Sequence, residues 1–113
     1  MIINNNNFLL LNKVIHFIIK LDVYKNNISK EDIRIKDDIN ETVCLISKNI
    51  IYINNNNNFK RYNLGLSKEI YYLNILLETM YLNKYISENE LENLVKEVTE
   101  INKIRNVWTG KKI

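Results

Sequence analysis

The sequence predicts an all-α protein, an up-and-down antiparallel four-helix bundle. Its 113 residues include no Pro and only two glycines, Gly65 and Gly110, so the turn-forming residues that a β-sandwich or barrel needs are scarce. Apolar residues also recur at spacings of three and four, the period of a helix face. The length suits one domain with a single core. We therefore place helices at about 7–24, 30–54, 59–84 and 88–108 in a single domain, 1–113.

The first predicted helix is apolar around most of its circumference. A helix of this kind has more surface to bury than three neighbouring helices usually cover, so we expect it to face another subunit. Lys13 and Lys20 interrupt its apolar stretch, Phe8 to Leu21, which is shorter than the roughly 18 residues of a membrane-spanning helix. No small-residue cleavage site of a signal peptide follows it, and we expect a cytoplasmic protein without a membrane partner. The predicted oligomer interface consists of Phe8, Leu11, Ile15 and Ile18.

The second predicted helix has both a core stripe and a start signal. Ser29 is the expected N-cap, with Asp32 three residues later. Ile28 and Ile33 have the spacing of a hydrophobic staple around this cap. The core stripe is formed by Ile39, Val43, Ile46, Ile50 and Ile53.

The third and fourth predicted helices also have apolar stripes at spacings of three and four residues. Gly65 in a helix interior costs about 1 kcal/mol relative to Ala, and we nevertheless favour a third helix that begins at Phe59 rather than Ser67. Ser87 and Glu90 have the spacing of a capping box at the start of the fourth helix. The third stripe is Leu66, Ile70, Leu73, Leu77 and Met80, and the fourth is Leu91, Leu94, Val98, Ile101 and Trp108.

The residues that carry chemistry do not form a recognisable catalytic pattern. There is no Gly-rich phosphate loop, no cysteine pair and no nucleophile at a meaningful distance from a base. His16 is the only histidine and Cys44 the only cysteine, so neither has the companions that a metal site or disulfide needs. Asp37 and Asp38 lie among other charged residues on a predicted solvated face. We expect no enzyme activity, no cofactor and no metal site.

Positive charge forms two clusters, one around the start of the third predicted helix and one at the end of the fourth and in the C-terminal tail. The 16 Lys and Arg exceed the 13 Asp and Glu by three. In an up-and-down bundle the end of the fourth helix lies near the start of the third, so the clusters could merge into one phosphate-binding patch. The alternative stays open: the C-terminal cations could only complement the helix dipole and belong to a frayed tail, with the asparagines 54–58 as a solvated turn. The predicted nucleic-acid-binding residues are Lys60, Arg61, Lys68, Lys103, Arg105, Lys111 and Lys112.

The stretch from Tyr71 to Trp108 resembles a known family. It combines a long leucine-rich helix, a short break ending in Tyr85, Ile86 and Ser87, a capped fourth helix with an "EINKI" segment, and a tryptophan near the terminus. These features resemble the accessory variability determinant proteins of diversity-generating retroelements. The upstream stretch "IKDDINETVCLISKNIIYINN" is similar to that family's second helix, whereas the first helix matches only in being apolar.

This resemblance implies a noncatalytic basic bundle that assembles into a five-membered ring, a homopentamer. Its partners would be the element's reverse transcriptase and RNA, with DNA as a further ligand, in support of mutagenic retrohoming. The chain departs from the family in being less basic, with Arg34, Arg61 and Arg105 as its only arginines. Two alternatives remain: the related four-helix bundles encoded in rRNA intervening sequences, and a structural oligomerisation bundle that binds no nucleic acid.

Overall fold

A computed structural model describes residues 5–55 and 59–110, with side chains at 9–53 and 59–110. Within these ranges the chain is helical and contains no strand, which confirms the predicted all-α four-helix fold. The elements are α1 (Asn5–Lys25), a 3₁₀ turn (Lys30–Asp32), α2 (Ile33–Asn55), α3 (Phe59–Leu82) and α4 (Glu88–Gly110).

Each helix packs against its neighbours in the chain, and α4 packs against α1. Within the described ranges no Cα atom of α1 lies within 8 Å of one in α3, and the same holds for α2 and α4. In cross-section α1 therefore lies diagonally across the bundle from α3, and α2 lies diagonally across from α4. The outer faces of α1 and α3 consequently point to opposite sides of the molecule.

The buried core includes the stripes that the sequence predicts for α2, α3 and α4. All the predicted core residues of α3 and α4 are buried, and four of the five in α2 are too, while Val43 is half-buried against the core. α1 contributes Leu10, Val14, Phe17 and Leu21. α3 begins at Phe59, as predicted, and continues through Gly65.

Gly65 lies against α2. A Cβ added to this residue would be 3.3 Å from Oδ1 of Asn49, closer than most carbon contacts. The amide of Asn49 already donates a 2.9 Å hydrogen bond to the carbonyl of Leu45, which holds the side chain in place. The glycine therefore allows α2 and α3 to approach closely here.

The start of α2 differs from the prediction. Residues Lys30–Asp32 form a 3₁₀ turn, and α2 begins at Ile33. Ser29 is in N-cap position but its side chain makes no capping bond, because its Oγ instead lies 3.0 Å from the hydroxyl of Tyr85. That tyrosine hydroxyl also donates to Asp32. The predicted staple is wrong, since Ile28 packs against the core but Ile33 is exposed.

Two capping motifs define the junction between α3 and α4. Lys84 has a φ of 66°. The N–H of Lys84 donates a 2.9 Å hydrogen bond to the carbonyl of Tyr81, and the N–H of Tyr85 donates a 2.9 Å hydrogen bond to the carbonyl of Met80. This is a Schellman motif with lysine in the left-handed position that glycine usually occupies. The predicted capping box follows. The backbone N–H of Ser87 donates to Glu90 Oε1 at 2.8 Å, and that of Glu90 donates to Ser87 Oγ at 3.1 Å.

Candidate nucleic-acid interface

One end of the bundle brings the start of α3 beside the ends of α2 and α4. The rings of Tyr52 and Tyr62 lie 5.0 Å apart with an interplanar angle of 48°, which joins α2 to α3. Arg105 of α4 donates a 2.7 Å hydrogen bond to Oδ1 of Asn63. The two segments that carry the predicted cationic clusters are therefore adjacent.

The exposed cations at this end lie in the first turn of α3. Lys60 and Arg61 are both exposed, and the guanidinium carbon of Arg61 lies 5.8 Å from the ring centre of Tyr62, within the range of a cation–π contact. Tyr52 is also exposed. Cations beside aromatic rings can bind the backbone phosphates of a single-stranded nucleic acid and stack on its bases.

Arg105 does not lie on this surface, so its place among the predicted nucleic-acid-binding residues is corrected. The residue is only 8% exposed. Its Nε donates to Oδ1 of Asn102 at 2.9 Å, and a terminal nitrogen donates to Asn63. Burial lowers the pKa of its guanidinium. None of the salt bridges within the described residues involves it. Arg105 thus links α4 to α3 through neutral amides.

The position of Arg105 could have been inferred from the periodicity. It lies four residues after Ile101 and three before Trp108, so it completes the core stripe of α4, and both neighbours are buried. The stripe predicted from apolar residues skipped from Ile101 to Trp108 because arginine is rarely fully buried. The spacing was a better guide here than the residue type.

The remaining predicted cations are not all grouped at this end. Lys103 is exposed on α4 and Lys68 is exposed on α3. Lys68 is two turns beyond Arg61, on the outer face of its helix. Lys111 and Lys112 lie outside the described residues. The cationic surface that the described residues support is therefore smaller than predicted, with Lys60 and Arg61 at its centre.

Comparisons of the chain with protein-family models, curated proteins and solved structures find no match.

The outer face of α1 is apolar, although not at all the residues predicted. Ile15 is exposed, whereas Leu11 and Ile18 are half-buried against the core. The side chain of Phe8 is outside the described residues. Ile19 and Val23 are exposed and extend the stripe of Ile15 at intervals of four residues. That i, i+4 spacing was visible in the sequence and was missed. No described helix combines the length and apolarity needed to cross a membrane.

His16 and Lys13 line the groove between α1 and α4. His16 is exposed near Glu97 and Glu100. Lys20 pairs with Glu97 at 3.1 Å, and Lys13 with Glu100 at 3.3 Å. Such half-exposed pairs contribute little to stability.

An acidic groove lies between α2 and α3. It is lined by Asp38, Glu41, Glu69 and Tyr72, and the Tyr72 hydroxyl donates to Asp38 at 3.4 Å. Partial burial raises the pKa of the Glu69 carboxyl, and the charge of Glu41 raises it further, although a hydrogen bond with Thr42 opposes both effects. Throughout the described ranges no three His, Cys, Asp or Glu residues are grouped to hold a metal ion.

Proposed function

We propose that this protein is a noncatalytic RNA-binding accessory subunit, and that its RNA-binding surface is centred on Lys60 and Arg61. The observation that supports this proposal most directly is the exposed pair of cations at the start of α3, beside the rings of Tyr62 and Tyr52. The cations would neutralise phosphates, and the exposed ring of Tyr52 would offer a stacking surface to an unpaired base.

We further propose that the four helices run up and down. On α1 and α4, Lys13 pairs with Glu100 while Lys20, further along α1, pairs with Glu97, which is earlier in α4. Residue numbers that rise on one helix as they fall on its neighbour indicate an antiparallel pair.

The contacts between α2 and α3 follow the same rule. Tyr52 near the end of α2 meets Tyr62 near the start of α3, whereas Asp38 near the start of α2 meets Tyr72. The hydrogen bond from Arg105 to Asn63 joins the last turns of α4 to the first turns of α3. These contacts support the antiparallel order around the bundle.

The resemblance to accessory variability determinants extends this proposal to a specific partner, the reverse transcriptase of a diversity-generating retroelement. The residues shared with that family have structural positions: Ile86 and Trp108 are buried, Ser87 caps α4, and Tyr85 is half-buried at the junction. The ring assembly implied by the family would use the outer face of α1, with Ile15, Ile19 and Val23 at its centre. A neighbouring reverse transcriptase gene and a short repeated template region would support the assignment.

Two double variants, each of which replaces two cations by neutral glutamines, test the RNA-binding surface. Lys60→Gln with Arg61→Gln removes one lysine and one arginine from the proposed surface. Lys30→Gln with Arg34→Gln removes the same charges from the 3₁₀ turn and the first turn of α2, where both residues are exposed. This is the opposite end of α2 from Tyr52. The measurement is RNA binding by fluorescence anisotropy over a series of salt concentrations. Each contacted phosphate contributes about 0.7 to the slope of log K against log salt for a single strand.

We expect the first variant to reduce this slope by about 1.4, which corresponds to two phosphate contacts. The second variant should leave the slope unchanged, because its charges lie at the other end of α2. An equal loss in both variants would indicate attraction by net charge alone. Absence of RNA binding in the wild type would contradict the proposal.

A second candidate is a structural oligomerisation bundle that binds no nucleic acid. The exposed apolar face of α1 favours it, because isolated apolar residues are common on surfaces but stripes along a helix usually contact a partner. Substitution of Ile15 and Ile19 by Ser separates the two candidates. A variant that no longer assembles but still binds RNA would support the RNA-binding proposal. A wild-type protein that assembles, a variant that does not, and no RNA affinity in either would support the structural one.

A further inference from the structure

The outer face of α3 has a second, exposed heptad stripe. Four of its members are apolar and exposed: Leu64 by 57%, Tyr71 by 71%, Ile75 by 44% and Leu82 by 70%. Lys68 and Glu78, also exposed, occupy the two remaining positions. The intervals along this stripe alternate between four and three residues, as the a and d positions of a coiled coil do. The stripe consists of Leu64, Lys68, Tyr71, Ile75, Glu78 and Leu82.

This stripe is symmetric about Leu73. Leu64 and Leu82 each lie nine residues from Leu73, and Lys68 and Glu78 each lie five residues from it. Tyr71 and Ile75 each lie two residues away. If a second copy of the helix is reversed about this midpoint, every leucine faces a leucine, every lysine faces a glutamate and every tyrosine faces an isoleucine.

We propose that two copies of this protein associate through α3 as an antiparallel pair with a two-fold axis at Leu73. Each a position then faces a d position of the other copy, which is the layer arrangement of antiparallel coiled coils. Lys68 forms an ion pair with Glu78 of the partner subunit, and the symmetry repeats this pair on the other side of the axis. The proposed contact does not include Lys60 or Arg61, although Leu64 lies only three residues after Arg61 on the same face of α3, and it is separate from the outer face of α1. The inference does not rest on the proposed function.

The charges select the antiparallel orientation and a second copy as the occupant. In a parallel, in-register pair, Lys68 would face Lys68 of the partner subunit and Glu78 would face Glu78 of the partner subunit, both repulsive. A different protein would need a glutamate and a lysine ten residues apart on an apolar stripe, whereas a second copy already has them. Between Leu64 and Leu82 none of the positions that flank the stripe is charged. The flanking positions are Gly65, Ser67, Tyr72, Asn74, Thr79 and Tyr81.

The proposed contact is long but narrow. Its six positions extend over about 27 Å at 1.5 Å per residue. One helix stripe buries less area than a typical stable interface of about 800 Å² per partner. We therefore expect a dimer that dissociates on dilution, with a dissociation constant on the order of micromolar. Lys68 is an interface residue in this dimer, so Lys68→Gln should weaken self-association.

Disulfide formation tests the orientation directly. In a Cys44→Ser background, the double variant Lys68→Cys with Glu78→Cys places two cysteine pairs across the proposed axis. Within one helix these cysteines are about 15 Å apart, too far to bond to each other. We expect oxidation to give a covalent dimer, with residue 68 bonded to residue 78 of the partner subunit in a peptide mass spectrum.

The single variant Lys68→Cys in the same background is the control. Its two cysteines would be about 15 Å apart along the pair, so it should stay monomeric on a non-reducing gel. Efficient 68-to-68 cross-linking would overturn the antiparallel orientation. Absence of any cross-link in the double variant at tens of micromolar would overturn the pairing itself. Both readouts report on α3 alone, whether or not a ring or RNA binding exists.

Charge reversal gives an independent test by sedimentation. K68E and E78K each convert two ion pairs into two repulsions, and each should weaken association about tenfold or more. The double variant K68E/E78K restores both pairs and should associate like the wild type. An equimolar mixture of the two single variants should form heterodimers, since one copy then has two glutamates and the other two lysines. Failure of both the double variant and the mixture to recover association would overturn the proposal.

Discussion

Substitutions of Arg105 test whether this residue packs between α3 and α4 or binds phosphates at the surface. We compare Arg105→Met, which preserves a long apolar side chain, with Arg105→Ala, which does not. The methionine variant loses the guanidinium and its hydrogen bonds to Asn63 and Asn102. Hydrogen bonds to a charged group contribute about 1.5–3 kcal/mol each, but the buried charge has a desolvation penalty of several kcal/mol. Both asparagines are half-exposed, so water can replace the lost donors.

We therefore expect Arg105→Met to lie within about 1 kcal/mol of the wild type in its free energy of unfolding. Arg105→Ala should be less stable than the methionine variant by about 2–3 kcal/mol, because truncation of a buried Met-sized side chain leaves a cavity. Urea denaturation followed by circular dichroism measures both values. In RNA binding, neither folded variant should change the salt slope, since the guanidinium is not exposed to phosphates.

The matched control is Lys103, two residues earlier in α4 and exposed. Lys103→Met and Lys103→Ala should differ by less than about 0.5 kcal/mol. An alanine variant of Arg105 as stable as its methionine variant would show that this side chain is not packed between α3 and α4. A reduced salt slope for Arg105→Met would return the residue to the RNA-binding surface.

Three further predictions concern helix ends and the acidic groove. Ser87→Ala removes the acceptor for the N–H of Glu90 and should lower the free energy of unfolding by about 1 kcal/mol; a double-mutant cycle with Glu90→Ala should show coupling between them, and strictly additive effects would argue against the capping box. Lys84→Gly relieves a left-handed backbone conformation and should raise the melting temperature, with a gain of about 1 kcal/mol; a loss of stability would contradict the Schellman geometry. The raised pKa of Glu69 means that the folded state holds this proton more tightly than the unfolded state, so its charge destabilises the fold above the folded pKa and stability is regained as the pH falls through it. Glu69→Gln should therefore be more stable than the wild type at pH 7, and this advantage should disappear at a pH below the ordinary glutamate range; equal stability at both pH values would contradict it.

The helices and most of the core were predictable because the apolar spacing is strong. Ile39, Ile46 and Ile50 are buried as their stripe requires, and Gly65 did not interrupt α3 because the packing of neighbouring turns outweighs a propensity penalty of about 1 kcal/mol. Local rules were less reliable at the start of α2. Ser29 has the sequence of a cap, but the hydroxyl of Tyr85, 56 residues away, provides its partner instead.

The surfaces were harder to predict than the core. Arg105 was assigned to the exterior by residue type, although its position belongs to the core stripe. The apolar residues of α3 were assigned to a single stripe, and Tyr71 and Ile75 on the opposite face were left out, because one buried face suffices to explain a helix in a bundle. The two faces can be separated only when the side of the helix that contacts α2 and α4 is known.

The diagonal placement of α1 and α3 has a consequence for growth of an assembly. If both of these outer faces bind further copies, as proposed above, each molecule has two binding sites on opposite sides, and each copy that joins leaves one site open for the next. Whether such growth closes into a finite particle or continues as a filament depends on the angle between the two faces. A variant with one of the two faces blocked could bind one neighbour only, so it would stop growth of the assembly where it joins.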